Sequence, residues 1–196
     1  MKKTLLGVMI LLTFGIIQTN AQTISGGIKA EANLSNFLHN DKAPGKTNMK
    51  FGASVGGFAK FDVVENFAIQ PELLFHYYSA ERKTNGVARN YEYWGMEIPV
   101  YAMGQWYTPS NNRFYAGFGP YVGLGFQSKY YEPMVKLYET NAHNQLDFGF
   151  RALVGYEFSN RIQLNAGYKI GVVNANDKDP GRLYSQGVSL GLGYRF

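Results

Sequence analysis

Few residues in this 196-residue chain have the type and spacing that catalysis or metal binding requires. The chain has no Cys, which excludes disulfides, thiolate metal sites, a Cys nucleophile and a lipid-bearing Cys. His76 and Ser79 are three residues apart, and an odd spacing in a strand puts two side chains on opposite faces. They are therefore not expected to form a hydrogen-bonded nucleophile and base. We predict no catalytic residue, no enzyme activity and no cofactor.

Three other motifs also favour a plain structural interpretation. Residues 174–181 are rich in side-chain oxygens that could hold Ca²⁺, but they lack the spacing and the distant Glu of a calcium loop. The glycine-rich stretch 117–123 has the wrong spacing for a phosphate loop. His39 and His143 fall in expected loops without a carboxylate at a useful distance. We predict no metal site.

Ten charged residues share a regular placement in the sequence. Each lies in an alternating stretch, in the row opposite the apolar residues, and five cations balance five anions. Buried charges need partners, so this balance suits a water-poor interior. The predicted structural charge network consists of Lys29, Lys60, Arg151, Lys169, Arg195, Glu31, Glu72, Glu97, Asp147 and Glu157.

The elements that would position these charges show a period of two, which indicates β-strands. Eight such stretches of about 9–13 residues cover residues 28–35, 50–61, 69–78, 93–102, 114–127, 145–158, 162–172 and 187–196. Short connectors near 63–67, 108–112 and 159–161 alternate with long polar ones near 36–49, 80–90, 128–144 and 174–185. Strands of this length cross a bilayer when tilted. We predict an all-β, eight-stranded antiparallel up-and-down transmembrane β-barrel.

The two rows of each stretch differ in composition, and this difference distinguishes a membrane barrel from a soluble one. The apolar rows contain almost no charge, whereas the opposite rows mix charge with glycine. Aromatic residues gather near both strand ends, as in the girdles of membrane barrels. We therefore assign the apolar row to lipid and the polar row to the lumen. Eight strands leave an interior that side chains can fill, so no general diffusion pore is expected.

The beginning of the chain has the features of an export signal. Lys2 and Lys3 precede an apolar run over residues 5–17, and Thr19 and Ala21 provide small residues for cleavage. The run is too short for a spanning helix. We predict a cleaved signal peptide at 1–21 and a barrel domain at 22–196. Without the two lysines, 17 basic residues face 14 acidic ones, and no basic cluster suggests nucleic acid.

Several stretches of the mature chain resemble a known family. The end of the chain, with Leu192, Tyr194 and Phe196, is similar to the signature that barrel-assembly machinery recognises. Residues 27–35, 70–75, 96–101, 114–121 and 167–171 resemble the PorT-like outer-membrane β-barrel family of Bacteroidetes-type bacteria. The resemblance covers residues 22–196. It implies strand geometry and a location in the bacterial outer membrane, but no activity.

These observations predict a small barrel with a plugged polar lumen and a structural or loop-mediated role. The expected contacts are outer-membrane lipid and lipopolysaccharide, the barrel-assembly machinery during biogenesis, and an unknown extracellular partner of the long loops. Those loops carry Arg82, Lys83, Tyr130, Tyr131, Tyr138 and Arg182. Two alternatives stay open: a narrow channel or small-ligand transporter, and an outer-membrane lipid-modifying enzyme.

Overall fold

The structure is a computed structural model that describes residues 23–39, 46–84, 87–131, 146–173 and 183–196. Within these ranges, no helix is long and apolar enough to cross a membrane. The predicted signal peptide at 1–21, the oxygen-rich stretch 174–181 and His143 lie outside the described residues.

Eight strands form one closed sheet, and each strand is antiparallel to both of its neighbours. The sheet runs in chain order from β1 to β8, and β8 pairs with β1 to close the barrel. This arrangement confirms the predicted eight-stranded up-and-down barrel. The strands are β1 Ile24–His39, β2 Lys46–Val64, β3 Phe67–Thr84, β4 Val87–Tyr107, β5 Arg113–Tyr131, β6 Leu146–Glu157, β7 Ile162–Gly171 and β8 Leu183–Arg195.

The first five strands are longer than the alternation predicted. They contain 16 to 21 residues instead of about 9–13. The prediction of a long loop at 80–90 was wrong, because β3 continues to Thr84 and pairs with β4 from Val87. The placement of His39 in a loop was also wrong, since it ends β1. Alternating hydropathy reports burial of one face, whereas strand pairing depends on the backbone and continues where that burial ends.

Three tight turns, between β2 and β3, β4 and β5, and β6 and β7, lie together at one end of the barrel. In the β4–β5 turn, the Thr108 amide donates to the Asn112 carbonyl at 2.8 Å, and the Asn111 amide donates back to Thr108 at 3.0 Å. Asn111 has a φ of 58°, in the left-handed region that Asn tolerates better than most residues. We call the end of the barrel that carries these turns the turn end. The opposite end, toward which the long strands extend, is the extended end.

The two faces of the sheet follow the predicted rows. On the outer face, Leu190 is 70% exposed and Phe51 is 63% exposed. On the inner face, Lys29 and Glu97 are buried. Inward glycines give the large inner side chains their room: a Cβ on Gly155 would lie 2.2 Å from the Tyr115 ring.

Candidate functional site in the lumen and on the extended sheet

A chain of alternating charges begins on β3 and crosses the lumen. Lys29 Nζ lies 3.0 Å from Glu72 Oε2 and 2.8 Å from Glu31 Oε1. Glu31 Oε2 accepts from Arg151 Nη2 at 3.0 Å, which links β1 to β6 across the interior. Gln70 also donates to Glu72 at 2.9 Å. Each anion therefore has a donor, which offsets the desolvation that burial imposes.

The chain continues from Arg151 toward the extended end. Arg151 Nη1 and Lys169 Nζ donate to the two oxygens of Glu97 at 2.7 and 2.9 Å. Lys169 Nζ also lies 3.7 Å from Asp147 and 4.1 Å from the ring centroid of Tyr78. A cation held by two carboxylates and an aromatic face has little freedom to move. We call the full set the central network: Glu72, Lys29, Glu31, Arg151, Glu97, Lys169 and Asp147.

A second group of charges lies near the turn end. Arg113 donates to Glu157 and, at 2.7 Å, to Gln105 Oε1, which also accepts from Lys60 Nζ at 3.2 Å. Lys60 Nζ lies 2.8 Å from Asp62. Arg195 Nη2 donates to the other oxygen of Glu157 at 2.6 Å. We call Lys60, Asp62, Arg113, Glu157 and Arg195 the turn-end cluster.

An apolar layer separates these two polar groups. It consists of Ala68, Tyr101, Met103, Tyr115 and Leu153, all of which are buried. The lumen is therefore filled in three layers: charge, apolar and aromatic packing, and charge again. Toward the extended end, a cavity of about 10 Å³ lies against Tyr78, Arg151 and Lys169, which is about the room that one water needs.

The structure brings the ten predicted charges together in two places. Seven of them form the central network, and Lys60, Glu157 and Arg195 belong to the turn-end cluster. Sequence reasoning missed Arg113 and Asp62, because it ended the alternating rows too early. Arg113 comes two residues before the inward Tyr115, and Asp62 comes two after Lys60, so the same period would have found both.

His76 and Ser79 do not form a pair. His76 is buried in the lumen and stacks on Tyr78 with ring centroids 4.3 Å apart. Ser79 donates instead to the Phe51 carbonyl at 2.8 Å. In the part of the chain that the structure describes, no group of three or more His, Asp or Glu could hold a metal ion.

The last strand closes the barrel. The Phe196 amide donates to the Gly26 carbonyl at 2.8 Å. Leu192, Tyr194 and Phe196 share the outer face, where they are 59%, 43% and 62% exposed. Their proposed part in assembly stays a prediction.

At the extended end, four strands continue above the rest of the barrel. β2 pairs with β3 as far as Lys46 and Lys83, and β4 pairs with β5 as far as Asn90 and Tyr131. The last pair between β1 and β2 is Ser35 with Lys50, and β1 then follows β8 alone. We call residues 46–49, 80–84, 87–93 and 127–131 the extended sheet.

An apolar band with aromatic edges surrounds the barrel. The two Trp residues mark its limits on β4: Trp94 packs on Tyr77 with ring centroids 4.8 Å apart, and Trp106 is 56% exposed near the turn end. The twelve residue-to-residue steps from Trp94 to Trp106 span about 28–30 Å along the axis at a rise of about 3.3 Å and a tilt of about 40–45°. That height matches a bilayer core. The fold and its surfaces define a transmembrane β-barrel protein.

Comparison with known proteins identifies the family. The family described as outer membrane protein beta-barrel domain matches residues 7–196, and the chain belongs to it. Its location is the bacterial outer membrane. No curated protein sequence matches the chain.

Solved structures share the fold at low identity. Neisserial surface protein A is 15% identical with a TM-score of 0.51, covering 89% of this chain and 99% of that chain. OprG from Pseudomonas aeruginosa is 11% identical with a TM-score of 0.46, covering 89% and 95%. The outer membrane enzyme PagL is 12% identical with a TM-score of 0.46, covering 84% and 98%. At this identity the likeness concerns the fold alone.

Proposed function

We propose that this chain is a sealed outer-membrane anchor that presents an interaction surface at its extended end and catalyses no reaction. The observation that supports this role most directly is the extended sheet above a filled lumen. Seven residues of β4, Val87–Tyr93, continue beyond Trp94; all of them pair with β3, and those from Asn90 onward also pair with β5. This adds about 23 Å of strand that the bilayer does not require.

The filled lumen supports a plug rather than a channel. Glu97 is buried, and its two carboxylate oxygens accept hydrogen bonds from Arg151 and Lys169. An ion entering the lumen would have to replace these contacts and then pass the layer around Met103 and Tyr101. Both steps are costly, because each leaves a buried charge without its partner.

Single-barrel recording in planar bilayers tests the plug. We expect no steady openings on the nanosiemens scale from the full mature chain. Regular openings would favour the narrow channel or small-ligand transporter instead. A variant with Tyr101→Gly, Met103→Gly and Tyr115→Gly serves as the positive control, because it removes most of the apolar layer.

We infer an orientation of the barrel that would put the proposed surface outside the cell. Outer-membrane barrels have short turns on the periplasmic side and longer loops outside. The turn end carries the tight turns at Glu65–Asn66 and Thr108–Asn112. The extended sheet would then face the medium. Protease digestion of intact cells tests this, and a chain whose extended sheet is protected would contradict it.

The placement of His76 and Ser79 on opposite rows supports a non-enzymatic role. The alternative of a lipid-modifying enzyme has a direct test in incubation of the purified chain with labelled lipopolysaccharide. Any processed product would overturn our proposal.

The finer family assignment and the route to the membrane also belong to this proposal. We assign the chain to the PorT-like group on residues 27–35, 70–75, 96–101, 114–121 and 167–171. Residues 1–21 would direct export and be removed. Barrel-assembly machinery would then recognise Leu192, Tyr194 and Phe196, and lipopolysaccharide would surround the outer face.

A further inference from the structure

Two buried polar atoms of the lumen have no hydrogen-bond partner within the part of the chain that the structure describes. One is Nε of Arg151, whose two Nη atoms donate to Glu97 and Glu31. The other is Oγ of Ser189. Arg151 is 2% exposed and Ser189 is 7% exposed, so bulk water does not reach them. A buried donor without an acceptor reduces stability, and both atoms therefore need a partner.

Both side chains line the small cavity on the extended-end side of the central network. Strand pairing brings them together, because Ser189 of β8 lies opposite Gly167 of β7, and Arg151 of β6 lies opposite Lys169, two residues further along β7. The position that a Cβ on Gly167 would occupy is 2.7 Å from Ser189 Oγ and 3.8 Å from Arg151 Nη2. Glycine at this position therefore lets the hydroxyl and the guanidinium approach each other.

The cavity has the size and the polarity that a single water molecule requires. Its volume is about 10 Å³, which is close to the least room that one water occupies. Asn33 and Tyr78 also line it, and the Asn33 amide nitrogen donates to Ser54 Oγ at 2.7 Å. Polar walls distinguish a hydrated cavity from a dry one, and a buried water needs at least two polar partners. Arg151 Nε and Ser189 Oγ supply two.

We propose that this cavity binds one water molecule, which accepts a hydrogen bond from Arg151 Nε and donates one to Ser189 Oγ. All three nitrogens of the guanidinium then have an acceptor, namely Glu97, Glu31 and the water. The water also gives β8 a second contact with the central network, besides the Ser185 hydroxyl that donates to Asp147 at 2.9 Å. A bridging water of this kind is nearly as favourable in enthalpy as a direct hydrogen bond.

A small anion is the competing occupant, because Arg151 and Lys169 both line the cavity. The charge of the surroundings favours water. The central network already has four carboxylates and three cations, so an anion would add to a buried excess of negative charge. The volume also favours water, since a chloride ion is larger. The proposed site does not depend on which end of the barrel faces the medium.

A high-resolution crystal structure of the full mature chain tests the site directly. We expect one density peak within about 3.2 Å of both Arg151 Nε and Ser189 Oγ. A second crystal, soaked in sodium bromide, identifies an anion by its anomalous scattering, and we expect no anomalous signal in the cavity. The absence of any peak, or bromide at that position, would overturn the proposal.

A matched pair of variants isolates the serine hydroxyl. Ser189→Thr and Ser189→Val add the same volume in nearly the same shape, but only threonine keeps the hydroxyl. We expect the water peak in Ser189→Thr and not in Ser189→Val, where Arg151 Nε is then left without an acceptor. The folding equilibrium constant, from urea unfolding in lipid vesicles, should be about tenfold smaller for Ser189→Val than for Ser189→Thr. A retained peak in Ser189→Val, or equal stability of the two variants, would contradict the proposal.

Solid-state NMR in lipid bilayers measures the same contact without a crystal. Magnetisation from water should reach the labelled Nε of Arg151 in the intact chain and in Ser25→Val, and should fail to reach it in Ser189→Val. Ser25 provides the control, because its Oγ is also buried without a partner in the described part of the chain but lies near the turn end, opposite Lys60. Loss of transfer in both variants would contradict a site at Ser189. A heat-modifiable gel shift verifies that each variant is folded.

Discussion

At the scale of single residues, the polar packing of the lumen depends on a few charged side chains that each contact two partners. Glu97 joins Arg151 of β6 to Lys169 of β7, and Glu157 joins Arg113 to Arg195. The alternation in the sequence assigned such residues to the inner face. It could not pair them, because partners such as Arg151 and Glu31 are 120 positions apart. Pairing follows from closure of the sheet, which no local pattern encodes.

Neutralising Glu97 should destabilise the barrel. Glu97→Gln leaves Arg151 and Lys169 buried around an uncharged amide, and we expect a loss of about 3 kcal/mol in the free energy of unfolding. Urea unfolding in lipid vesicles measures it. Glu65→Gln is the control, because Glu65 is exposed in the β2–β3 turn and should change stability by less than about 0.5 kcal/mol. Equal effects of the two variants would contradict the network's structural role.

A charge on the lipid face should be costly only at mid-membrane. Leu190 is 70% exposed on the outer face of β8, and Leu190→Arg should cost about 2–4 kcal/mol. Ile24, also exposed on that face, lies at the turn end, where Ile24→Arg should cost about 0–1 kcal/mol. Unfolding in vesicles compares them. A neutral Leu190→Arg would mean that the faces are assigned in reverse.

At the scale of elements, strands and turns differ in how well the sequence predicts them. The three tight turns fall where the alternation stops, near residues 65, 110 and 160. At the extended end, β2 to β5 do not end where the alternation stops, because both rows of residues become polar there while strand pairing continues. Lys83 opposite Ala88 is an example of a pair that carries no burial signal.

The β4–β5 turn offers a test of local backbone conformation. Asn111 has a φ of 58°, which costs most side chains about 1–2 kcal/mol. Asn111→Ala should therefore reduce the free energy of unfolding by about 1 kcal/mol, whereas Asn111→Gly should be nearly neutral. The same unfolding assay compares the two variants. If Ala and Gly have the same effect, the backbone conformation does not limit stability at this turn.

At the scale of the whole molecule, closure of the sheet makes the polar lumen possible. β8 pairs with β1 from Gly27 opposite Arg195 to His39 opposite Leu183. That seam brings Glu31 of β1 within reach of the strands at the end of the chain. Composition and period predicted this architecture well, since most lumen residues follow the alternation, which is interrupted at irregularities in the pairing of β2 with β3 and of β4 with β5. They did not predict the extended sheet, and they name no partner.

Removing the last strand should abolish the folded barrel as a unit. A chain lacking residues 183–196 loses the β1–β8 seam and the Arg195–Glu157 contact. We expect it to migrate identically on gels before and after heating, whereas the intact chain migrates differently. A heat-dependent shift in the shortened chain would show that seven strands close on their own. Leu190→Ala is the control and should keep the shift.

The order of charges in the lumen has a consequence for the electric field across the membrane. The central network has four carboxylates and three cations, and the turn-end cluster has three cations and two carboxylates. One excess negative charge therefore lies nearer the extended end, and one excess positive charge nearer the turn end. The two are separated by the apolar layer around Met103 and so form a fixed axial dipole. Any potential across the outer membrane acts on that dipole, so the barrel has a preferred polarity in the field as well as a preferred orientation in the lipid.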